Sequence, residues 1–72
     1  MLSIDSKIKE LMKDEEAVAI IEEFRPGLST DPKLEIIIDS TLRYLLGRAK
    51  EAGFMTDEQI AEIDARLQAI EE

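Results

Sequence analysis

Ser3, Ser6, Ser29 and Ser40, together with the carboxylate pairs Glu15/Glu16, Glu22/Glu23 and Asp57/Glu58, are the residues of this chain whose types could do chemistry. A serine attacks a carbonyl only when a neighbouring base takes its proton, and the usual bases and alternative nucleophiles, histidine and cysteine, are both absent. Their absence also removes the common zinc ligand sets and any disulfide. A carboxylate pair does acid–base work when its surroundings push one pKa up. With 17 acidic residues in 72, however, adjacency is expected by chance. Solvated helix surface is the simpler reading, because such groups are rarely buried. The chain has no calcium loop of alternating Asp/Asn around a glycine and no glycine-rich phosphate loop. We therefore expect no enzyme, no catalytic residues, no bound metal and no cofactor.

The elements that would position these residues read as helices nearly throughout. Asp5-Ser6-Lys7-Ile8-Lys9-Glu10-Leu11-Met12 returns 34 residues later as Asp39-Ser40-Thr41-Leu42-Arg43-Tyr44-Leu45-Leu46, each copy reading as a capped helix start. Asp14 is a further cap, with Glu15 and Glu16 in the first turn where the helix dipole favours negative charge. Ala17, Ile20, Ile21 and Phe24 form one apolar stripe with Phe24 as an expected core anchor, and Pro26-Gly27 ends that helix. Asp31-Pro32 opens the next. From there, either one helix runs from Pro32 to Ala52 or a short helix stops near Ile38 and Asp39 or Ser40 caps a new one. The repeat favours the break. Gly53 suits a left-handed helix end. Thr56 with Gln59 forms a capping box, and Met55 with Ile60 a hydrophobic staple. Ile60, Ile63, Leu67 and Ile70 then make a narrow seam that could pack on another helix or support a dimer, and Glu62 and Arg66 are spaced to pair.

Composition bounds what such a chain can contact. Residues 1–38 carry nine acidic and five basic side chains and residues 39–72 eight and four, so each half has a charge of −4 and the whole −8. Phosphate backbones and anionic headgroups would be repelled, so neither nucleic acid nor a membrane surface is expected as a partner. The apolar runs are too short to span a bilayer, and the first residues lack the positive segment plus apolar core expected of a signal peptide. We expect a soluble protein, more readily cytoplasmic than exported.

Two resemblances bear on function. A small acidic helical chain with Asp39-Ser40 near its middle resembles an acyl carrier protein, which implies a phosphopantetheine arm on Ser40. Thr41 stands where that family has leucine. A longer series, Ser3-Ile4-Asp5-Ser6, Lys9-Glu10-Leu11-Met12, Ala17 to Ile21, Phe24-Arg25-Pro26-Gly27-Leu28 and Ser40-Thr41-Leu42-Arg43, resembles the small helical module at the C-terminal end of some bacterial glycoside hydrolases and esterases. The same outline is similar to a small domain of unknown function whose members usually contain cysteines. The second resemblance implies a non-catalytic accessory module and transfers no catalytic residue.

The expectation is an all-α fold, a single domain over residues 1–72. It would be a compact array of four to five short helices in two pseudo-repeated halves, monomeric or weakly dimeric. Its function would be protein interaction, with a parent enzyme domain or an assembly partner. Val18, Ile36 and Ile37 are the candidate interaction face, since apolar residues left outside a small core mark docking surfaces. An acyl-carrier-like protein modified at Ser40 is the alternative.

Overall fold

Asp14 begins the first long helix as its side chain requires, accepting hydrogen bonds from the amides of Glu16 (2.9 Å) and Ala17 (3.1 Å). The computed structural model describes residues 1–71. Among them are five helices, α1 (Ile8–Leu11), α2 (Glu15–Phe24), α3 (Leu34–Ile37), α4 (Leu42–Glu51) and α5 (Asp57–Gln68), with a 3-10 turn at Leu28–Thr30. The all-α class, the number of helices and the break after α3 agree with the sequence reading. A radius of gyration of 11.0 Å matches the roughly 11 Å of a folded chain of this length.

The repeat has a structural meaning other than capping. Neither Asp5-Ser6 nor Asp39-Ser40 caps a helix. Lys7 stands at the N-cap of α1 without a side-chain bond, and Thr41 caps α4 by accepting from the Tyr44 amide. Instead the two turns lie antiparallel and share one bridge, Lys7 opposite Thr41. The Ile8 amide donates to the Ser40 carbonyl (2.8 Å) and the Leu42 amide to the Ser6 carbonyl (3.1 Å). Lys9 donates to Ile38 (3.0 Å) and Arg43 to Ile4 (2.7 Å). A step of 34 residues converts one member of each pair into the other, so the turns are related by a local two-fold axis. The first amides of each helix, normally left for side chains or water, are satisfied by the opposite turn. That frees the aspartates to pair with cations across the same axis, Asp5 with Arg43 (2.6 Å) and Asp39 with Lys9 (3.0 Å).

Ile8 and Leu11 of α1, Leu42 of α4 and Ile63 and Leu67 of α5 are the largest fully enclosed side chains, each less than 2% exposed. Ala17, Ile20 and Ile21 bring α2 onto this centre, Leu34 adds α3, and Leu28 and Met55 close it from the connecting segments. Two expectations are corrected here. Phe24 lies at the edge of the core, half-buried, with the Arg66 guanidinium 5.8 Å from its ring centre. The seam of α5 packs on the other helices rather than standing free, with Ile63 and Leu67 in the core and Ile60 and Ile70 half-buried against it. Arg66 reaches across to Glu23 on α2 rather than along its own helix to Glu62. The Ile4 amide, bonded to Asp64 Oδ1 at 3.0 Å, ties the start of the chain to α5.

Candidate interaction site

Glu22 of α2 fixes the segment that forms one wall of the site. Its carboxylate accepts from the Gly27 and Ser29 amides and from the Ser29 hydroxyl. These bonds bend the chain sharply after Pro26, with Gly27 in the left-handed region (φ 85°), and return Leu28 to the core. The hydroxyl of Ser29 first, then the Gly27 amide, hold the Glu22 carboxyl below its ordinary range. Asp5 is depressed by Arg43 and Asp39 by Lys9. All three shifts run opposite to what a general acid at neutral pH requires. Among the described residues, no three acidic side chains converge as a metal site would need, and no helix is long and apolar enough to cross a membrane.

Between the end of α2, α3 and α4 lies an open groove of about 380 Å³. Leu28, Leu34, Ile37 and Leu45 supply its apolar lining, with Ile36 and Tyr44 beside them. Ile36 is 84% exposed and Tyr44 49%, two of the four large hydrophobic side chains left open to solvent among the described residues. The rim is cationic, with Arg25, Lys33 and Arg48 against a single carboxylate, Asp31. Arg48 lies over the Tyr44 ring (5.8 Å) and donates to its hydroxyl (3.1 Å), the contact expected of residues four apart on a helix. Beneath this groove a void of about 20 Å³ opens among Phe24, Leu46, Ala49 and Ile63. It is apolar and water-sized, so it is a packing gap rather than a ligand site.

The three residues of the sequence-derived face do not form one patch. Ile36 and Ile37 border the groove just described. Val18, half-buried, lies in a second, more polar depression with Met12, Pro32 and Ile38, and Leu34 contributes to both. Ser40 is half-buried in the paired turn, its amide bonded to Ile37 and its carbonyl to Ile8, in the station that Ser6 holds in the other half. Sequence reasoning missed the cationic rim. Tyr44 and Arg48 carried a signal in their spacing, but Arg25 and Lys33 approach them only through the turn that Glu22 builds. Comparison with known proteins finds no matching family model, no matching curated protein and no matching solved structure.

Proposed function

We propose that this chain is a non-catalytic accessory module that works by docking on another folded protein, as the C-terminal part of a larger bacterial hydrolase. The observation that carries the reading is the groove between α3 and α4. Exposed Ile36 and Tyr44 beside a continuous apolar lining are costly to leave in water, and such patches mark interaction surfaces. The ordered series from Ser3 to Arg43 supports the hydrolase setting, because its segments follow one another in the order of the accessory module, with Glu15 standing where that module often has proline. An antibody to the domain, used on a lysate of the source cell, tests that setting. A band far above 8.2 kDa supports a module joined to a larger protein, and a band at 8.2 kDa overturns it.

Ser40 is structural in this reading, as Ser6 is in the other half. A phosphopantetheinyl transferase with coenzyme A should therefore leave the mass unchanged. Gain of the arm at Ser40, absent in Ser40→Ala, would replace the accessory reading with the carrier one.

A further inference from the structure

We infer that the groove between α3 and α4 receives the Phe54 loop of a second copy of this chain. The inference rests on the interaction-module reading and names the partner for that site. Both halves of the contact are visible. On the receiving side, four of the nine basic side chains (Lys9, Arg43, Lys50 and Arg66) are committed to carboxylates. The other five form no ion pair with any described carboxylate, in a chain with nearly twice as many acids as bases, and three of them, Arg25, Lys33 and Arg48, line one apolar groove. Desolvating unpaired cations is unfavourable unless the incoming surface carries negative charge, so the rim selects an acidic occupant with an apolar tip.

The donating side is the connection from α4 to α5. There the Gly53 amide donates to the Lys50 carbonyl (3.0 Å) and the Phe54 amide to the Ala49 carbonyl (2.9 Å), a helix end of the Schellman type with Gly53 in the left-handed region (φ 84°). In such an end the residue at the Phe54 position ordinarily packs back on the last helical turn. Phe54 is instead 80% exposed. Glu51 lies three residues before it and Glu58 four after, neither in an ion pair with a described cation, while Asp57 between them is held by Lys50 (2.8 Å), so the tip is aromatic with two carboxylates on its flanks. The groove volume of about 380 Å³ exceeds the roughly 150 Å³ that takes a benzene ring in an apolar cavity. A single aromatic anchor with a charged rim buries well under the ~1,200 Å² of a stable interface, so the association belongs to the weak, transient class.

The test is sedimentation equilibrium on the full chain from about 10 µM to about 1 mM, the range over which contacts of this class saturate. The wild-type mass should climb from 8.2 kDa to twice that value or beyond, since each chain carries one groove and one tip. Phe54→Ser and the double variant Arg25→Glu/Lys33→Glu should each stay at 8.2 kDa while keeping wild-type circular dichroism, since all three side chains are exposed. The two variants should complement. Amides of Leu34, Ile37 and Leu45 in ¹⁵N-labelled Phe54→Ser should shift when the unlabelled charge-reversed variant, whose Phe54 is intact, is added. Wild type that remains monomeric throughout overturns the inference and leaves the groove to a partner of another sequence, a case the lysate blot decides separately. Association unaffected by Phe54→Ser, or variants that fail to complement, also overturns it by placing the contact on another face.

Discussion

Asp5 and Asp39 occupy equivalent stations in the two halves, and each meets a cation from the opposite helix. The bonds to Arg43 and Lys9 hold both carboxyls below the ordinary carboxylate range, about 4. The unfolded chain, without those partners, takes up protons at higher pH than the folded one. Stability from these pairs is therefore fully present above about pH 4 and is lost as the pH falls through the depressed values. The urea midpoint should drop between pH 7 and pH 3, and the drop should be shallower in Asp5→Asn/Asp39→Asn. An equally steep fall in that double variant would place the pH sensitivity elsewhere. Glu22 acts locally. Glu22→Gln replaces an anionic acceptor of three hydrogen bonds by a neutral one, so the Gly27 and Ser29 amides should exchange hydrogen faster, with those of α5 unchanged.

At the scale of the helix, glycines in two settings give opposite expectations. Gly47 lies inside α4 with no atom within 4 Å of where a Cβ would stand. Gly47→Ala should raise stability by about 0.5–1 kcal/mol, because glycine loses more backbone freedom in a helix than alanine. Gly53→Ala must enter the left-handed region and should lower it by about 1 kcal/mol. Thermal melts of the two variants moving in the same direction would contradict this assignment of the α4 end. Thr56→Ala removes the acceptor for the Gln59 amide and should cost about 1 kcal/mol. These helix ends were legible in the sequence because a cap or a left-handed glycine is a local device, satisfied within five residues. So was the apolar seam of α5, whose Ile63 and Leu67 lie in the core. The function of Asp-Ser was not legible, since the amides that its serine carbonyls accept from lie 32 and 36 residues away and a cap and a paired turn favour the same residue types. Arg66 was misjudged for a related reason: Glu62 is the neighbour in sequence, but α2 brings Glu23 closer. Phe24 read as a core anchor because helical periodicity gives the side of the helix and not how far along it the core extends.

For the whole molecule, the core rests on five nearly inaccessible aliphatic side chains and contains no buried polar residue among those described. Leu11→Ala should cost about 2–5 kcal/mol, a large part of what a domain of this size possesses, and should leave a substantial unfolded fraction at 37 °C. Phe24→Ala, at the core edge, should cost less, about 1–3 kcal/mol by the apolar area it covers. A reversed order in denaturant titrations would show that the centre of the core lies nearer α2 than α1. The paired turns have a consequence for the chain as a polymer. Bonds exchanged reciprocally between equivalent segments would be satisfied as well by two separate chains as by one. Carrying both segments on one chain turns a concentration-dependent encounter into a unimolecular step, with each turn seeing the other at an effective concentration of order millimolar. The bridge at Lys7 and Thr41 is therefore indifferent to dilution, and a peptide copy of either turn added in solution would have to exceed that concentration to displace it.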